Sequence, residues 1–188
     1  MAINLKSLSK PEGQRPIIAT LFGEGGMGKT TLASMFPKPV FIRTEDGTAS
    51  LVGNDNVSLF PLTTSSQDVL DAIEALATEK HDHKTLVIDS ITQLATQIES
   101  EIVESDPKAK SISQAGGGYG AGFGQASERH AQIREWAGSL AYEVGMNIVF
   151  IGHADTETLT LPDMDPYNRY CVRMHKKSIP HYTDNVDL

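Results

Sequence analysis

The sequence predicts an α/β domain built on a mostly parallel sheet flanked by helices. Three observations carry this. Short runs rich in β-branched and aromatic residues alternate with helix-like segments. The runs are mostly apolar throughout, as strands covered on both faces tend to be. The chain has 188 residues, enough for one sizeable core, so a single domain is the simplest organisation.

In chain order, "PIIATLFG" is the first strand and "KTTLASMF" the first helix, followed by strands "PVFIRT" and "VSLF". "QDVLDAIEALATEK" then has Val69, Ile73, Leu76 and Ala77 at helical spacing, and "TTSS" before it offers N-caps. "TLVIDS" is a strand, "SITQLATQIESEIVESD" a helix, and "ASERHAQIREWAGSLAYEVG" a further helix closed at Gly145. "NIVFIGH" is the last clear strand. Two stretches are expected to be irregular. Six of the twelve residues from Gln114 to Gln125 are glycine, and Ala154 to Ser178 contains Pro162, Pro166 and several Asp residues. The closing "TDNVDL" reads as the start of another strand, as in a trimmed chain or a minimal core.

Composition narrows the function classes. A hydrophobic content of 39% with 21% charged residues is ordinary for a globular protein. The N-terminus is polar, and no apolar run approaches the roughly 18 residues of a membrane span, so a cytoplasmic protein with no membrane partner is expected. Cys171 is the only cysteine, which excludes an intrachain disulfide and a Cys-rich zinc site. The net charge of -8 argues against coating nucleic acid through bulk electrostatics, so any DNA contact must be local. His81 and His83 flank Asp82, but no further ligand can be placed beside them, and they read as a solvated loop.

The chemistry concentrates in "GEGGMGKTT". Gly23, Gly28, Lys29 and Thr30 fit G-x-x-x-x-G-K-[ST], in which consecutive backbone N–H groups converge on phosphate oxygens at a helix N-terminus. Nucleotide binding is therefore expected at Gly23, Gly25, Gly26, Met27, Gly28, Lys29, Thr30 and Thr31, with Lys29 reaching the β- and γ-phosphates. Mg²⁺ is expected on the Thr30 hydroxyl and on Asp89, which ends the strand "TLVIDS". Glu45, in "FIRTEDG", is the expected water-activating base, with Asp46 the alternative. His153, ending "NIVFIGH", could contact the γ-phosphate and report its presence, or be an ordinary hydrogen-bonded histidine.

Taken together, "GEGGMGKTT", "FIRTEDG", "TLVIDS" and "FIGHAD" resemble the RecA-type ATPase core, over about Pro16 to Leu188 with residues 1–15 as an N-terminal extension. More closely they are similar to phage RecA-like ATPases of the AAA-domain nucleotide-binding or single-strand-annealing kind. The resemblance implies a RecA-like P-loop fold, ATP and Mg²⁺, a catalytic role for Glu45, Lys29 and His153, and oligomerisation as a ring or filament. Recombinases usually carry glutamine where this chain has His153. It also implies two mobile DNA-facing loops, here Gly116–Gly124 and Ala154–Ser178, and lysines that reach a neighbour's phosphate, here Lys176 and Lys177. Single-stranded DNA is thus the expected partner. Tyr119 and Phe123 would stack on bases or anchor their loop, and Arg169, Arg173, Lys176 and Lys177 would supply backbone charge. No N-K-x-D guanine motif or L-S-G-G-Q signature is present. A small-molecule P-loop kinase and a nucleotide-gated assembly module with negligible turnover are the alternatives.

Overall fold

The structure, a computed structural model, describes residues 15–188. Of the expected N-terminal extension, residues 1–14 lie outside the described residues. The elements are β1 (Ile18–Gly23), α1 (Lys29–Ser34), β2 (Pro39–Arg43), a 3-10 turn (Thr48–Leu51), β3 (Ser58–Leu62), α2 (Ser66–Thr78), β4 (Thr85–Asp89) and α3 (Ile91–Ser105). They continue with a 3-10 turn (Ala115–Gly117), α4 (Ala121–Ser139) ending in a π-helical turn (Leu140–Val144), β5 (Asn147–Leu161), β6 (Met164–Val172) and α5 (Pro180–Thr183).

The sheet is mostly parallel. Its order is β1-β5-β4-β2-β3, all parallel, and β6 pairs antiparallel with the outer part of β5. Register sets the site: Gly23 pairs with His153, Asp89 with Ile151, and Arg43 with Asp89, so four strand ends finish level at one edge. In open parallel sheets such carboxyl-terminal edges are where ligands bind.

Strand residues alternate between two cores. Val40, Ile42, Leu86, Ile88, Ile148 and Phe150 face α2, α3 and α4, whereas Phe41, Val87, Val149 and Ile151 face Ala33 of α1 and Leu51. This double burial is why the runs are apolar at every position. Ser65 caps α2 in a reciprocal box with Asp68, and Ser90 accepts from the Gln93 N–H at the start of α3. Ser66 of α2 donates its hydroxyl to Glu101 of α3 at 2.6 Å, and Arg129 of α4 donates to that same hydroxyl at 2.9 Å, which joins three helices.

Two expectations of irregular structure are corrected. The Gln114–Gln125 stretch is only half a loop. Gly116 to Gly120, with Tyr119 among them, have positive φ, but α4 begins at Ala121. Gly122 sits so close to the Ile112 carbonyl that a Cβ there would lie 2.3 Å from its oxygen, so glycine at that position is what permits the helix to pack. From Ala154 to Val172 the chain is not irregular but a β-hairpin that extends beyond the parallel sheet. Its polar strands are held by cross-strand pairs, including Thr158 to Asn168 at 2.8 Å and Arg169 to Glu157 at 2.6 Å. Pro166 is tolerated in β6, an edge strand, and Pro162 falls in the turn. At the other edge, Asp187 N–H donates to the Ile18 carbonyl at 2.7 Å and Thr20 N–H to the Leu188 carbonyl at 2.9 Å. The closing residues thus bond to β1 at two points, but the expected final strand does not form among them.

Candidate functional site

The loop between β1 and α1 turns on Gly26 and Gly28, both at positive φ, and Gly28 is the residue that opens α1. A Cβ at Gly25, Gly26 or Gly28 would meet nothing within 4 Å, so the loop's backbone lines open space. Lys29 folds back over this loop, its Nζ donating to the carbonyls of Gly23 at 2.9 Å and Glu24 at 2.8 Å.

Beside it lies a cavity of about 400 Å³. From the loop it takes Gly25, Gly26, Gly28, Lys29, Thr30 and Thr31, and from the strand ends Glu45, Asp89 and His153. Gly23 contributes its carbonyl to Lys29 rather than a wall, and Met27 lies outside the cavity, exposed. Thr30 donates its hydroxyl to Asp89 Oδ2 at 2.7 Å. Burial raises the pKa of Asp89, and the Thr30 hydrogen bond opposes that rise. An all-oxygen pair of hydroxyl and carboxylate suits a hard cation such as Mg²⁺. Across the cavity, Glu45 Oε1 lies 2.9 Å from His153 Nε2, and the His153 N–H donates to Thr92 Oγ1 at 2.9 Å. Of the two carboxylates of "FIRTEDG", Glu45 lines the cavity, whereas Asp46 is exposed and does not.

Sequence reading missed Thr44 and Thr92, whose hydroxyls hold the Asp89–Ser90 and His153 backbones, and the Gly47–Ser50 turn that closes one wall. Thr44 alone left a legible sign, a hydroxyl interposed between an apolar strand and Glu45.

The proposed DNA contacts separate into two groups. Phe123 is stacked on His175, ring centroids 3.9 Å apart and 11° from parallel. Lys176 and Lys177 are exposed in the turn beside that stack, with Ser127 of α4 bonded to the Lys177 carbonyl, and Tyr119 is fully exposed on the glycine loop. Arg169, by contrast, lies out on the hairpin in an ion pair with Glu157, and Arg173 donates to the Ala154 carbonyl at the hairpin's root. His81 donates from Nε2 to the Leu76 carbonyl, and Asp82 pairs with Lys38.

The sequence profile of the family described as AAA domain matches residues 15–188, essentially all that the structure describes. The chain belongs to the AAA domain family. A search of curated proteins finds no match to it. Members of that family are nucleotide-binding ATPases, and the mostly parallel, helix-flanked sheet of this member is an α/β P-loop NTPase core. Among the described residues no helix is long and apolar enough to cross a membrane.

Proposed function

We propose that this AAA-domain protein binds ATP with Mg²⁺, hydrolyses it, and couples the cycle to single-stranded DNA. The observation that carries the ATPase reading is the meeting, in one cavity, of the Thr30–Asp89 pair and the Glu45–His153 pair. The loop amides and Lys29 would hold the phosphates, Lys29 exchanging its own loop's carbonyls for phosphate oxygens. Thr30 and Asp89 would hold Mg²⁺, which neutralises charge on the β- and γ-oxygens. Glu45 would take the proton from the attacking water as the γ-phosphorus–oxygen bond to ADP breaks, and His153 would hold Glu45 in place and sense the γ-phosphate.

Among the described residues, Lys29 is the only lysine or arginine lining the cavity. A neighbouring subunit supplying further positive charge is the reason to infer a ring or filament, with Lys176 and Lys177 as candidates. Support for single-stranded DNA comes from the Phe123–His175 stack beside Lys176 and Lys177, with Tyr119 on the adjoining loop. Aromatic faces and nearby cations are what a base-stacking, sequence-tolerant strand needs.

Calorimetry and turnover test this. Lys29→Ala should lose ATP-Mg²⁺ binding while remaining folded. Glu45→Gln should keep nucleotide bound and lose about 100-fold in turnover, the scale of a missing general base. Retained affinity in the first variant removes the phosphate-site reading. ATP consumption by the wild type with and without single-stranded DNA separates a DNA-coupled ATPase from a kinase or a silent assembly module.

A further inference from the structure

We propose that Thr44 is a positioning residue that sets the Mg²⁺-side carboxylate, Asp89, relative to the general base, Glu45; this rests on the ATPase reading above. Thr44 is buried between the end of β2 and Glu45, its direct neighbour in the chain. It grips the residues at the end of β4 three times. Its hydroxyl donates to the Ser90 carbonyl at 2.7 Å and accepts from the Ser90 N–H at 2.8 Å, and its own N–H donates to the Asp89 carbonyl at 2.9 Å. Ser90 is fully buried, so no water replaces the hydroxyl if it is removed.

The clamp is backed from behind. Gln97 of α3 donates through Nε2 to the Thr63 carbonyl at 3.0 Å and, more weakly, to the Thr44 carbonyl at 3.4 Å, which ties the exits of β2 and β3 to α3. Asp89 Oδ2 meets Thr30 at 2.7 Å only while the backbone carrying it is fixed. Because Thr44 directly precedes Glu45 and its hydroxyl holds both backbone groups of Ser90, the residue after Asp89, that hydroxyl sets the spacing between proton acceptor and metal ligand. Outer partners of this kind typically change metal affinity or activity by about 10 to 100-fold.

The test uses the full chain with Thr44→Val, which keeps the shape and removes the hydroxyl, and Thr44→Ser, which keeps the hydroxyl. Mg²⁺ is titrated against ATP turnover, and binding of a fluorescent ATP analogue is measured in EDTA. Thr44→Val should need about tenfold more Mg²⁺ for half-maximal turnover, with metal-free affinity within about twofold of wild type, and Thr44→Ser should restore the Mg²⁺ requirement. A wild-type Mg²⁺ requirement in Thr44→Val overturns the proposal, as does a Thr44→Ser that behaves like Thr44→Val. If Thr44→Val does not fold, Thr44→Ala carries the same comparison. Parallel loss of metal-free affinity would make Thr44 merely structural and likewise overturn it. A wild type that binds no nucleotide would instead remove the ATPase reading itself.

Discussion

The two halves of β5 share one strand and differ in everything that supports it. Asn147 to His153 pairs with β1, β4 or both and is largely buried, whereas Ala154 to Leu161 pairs with β6 alone and is exposed almost throughout beyond Ala154. His153 stands at the boundary, the last residue of β5 that pairs with β1. The inner half gets its strand conformation from a sheet packed on both faces. The outer half gets it from one antiparallel partner, and a two-stranded ribbon alone is marginal in water. The cavity reaches β5 where its packing changes, at the last point that the core still holds.

That contrast makes a direct prediction about stability, the largest expected here. Phe150→Ala, in the inner half, should cost about 3–5 kcal/mol, because the ring is fully buried against Tyr182 and above the Arg134 guanidinium. Tyr167→Ala, in β6 opposite the outer half, should change stability by no more than about 0.5 kcal/mol. Urea unfolding of both variants checks this. Similar losses at the two positions would mean the hairpin is part of the core.

The same contrast explains what was legible. The inner strands were readable because burial on both faces leaves an unbroken apolar run, as in "TLVIDS" and "NIVFIGH". The cavity was readable because its residues fall at strand ends or in a fixed-spacing loop, so Lys29, Thr30, Glu45, Asp89 and His153 could be named without knowing the strand order. The hairpin was not readable. Its threonines and acidic residues carry no periodic apolar signal, and Pro162 and Pro166 counted against a strand although they fall in the turn and on an edge. Thr92 was invisible for another reason, since its hydroxyl meets His153 only through the tertiary fold.

Acid should act on the floor beneath the inner half before it acts on the hairpin. His130 shares a hydrogen bond with the Tyr182 hydroxyl at 2.9 Å, and Tyr182 packs edge-on to Phe150. Burial, with His181 nearby, holds the His130 pKa down to about 4, against 6.5 for an ordinary histidine. Between those values the unfolded chain binds a proton that the folded chain does not, so stability falls as pH falls through the window from 6.5 to 4. From pH 7 to 5 the contribution of this group is about 2 kcal/mol. Urea midpoints of wild type and His130→Gln across that range should converge toward low pH. Parallel curves would show that His130 takes up its proton as readily in the fold as in the unfolded chain.

The smallest expected effect concerns which side of the boundary would meet DNA on the proposed single-stranded-DNA reading. From Ala154 to Val172 the hairpin carries Asp155, Glu157, Asp163 and Asp165 against the single Arg169, and Glu157 already neutralises that arginine. An acidic ribbon with its one guanidinium engaged has no charge to offer a phosphate backbone. Lys176 and Lys177 lie past the hairpin, exposed beside the Phe123–His175 stack, and Lys177 is tied through its carbonyl to Ser127 of the core helix α4. On the single-stranded-DNA reading, replacing both lysines with alanine should weaken oligonucleotide binding about tenfold at low salt and flatten the log affinity against log salt slope by about 1.4, the release of counterions at two single-strand phosphates. Arg169→Ala should leave affinity within about twofold and the slope unchanged, because removing an already neutralised charge releases no additional counterions. Fluorescence anisotropy at several salt concentrations reads both quantities. If Arg169→Ala matched the double lysine variant, the Glu157 pair would have to open on DNA and the hairpin, not the lysine turn beside α4, would be the binding arm.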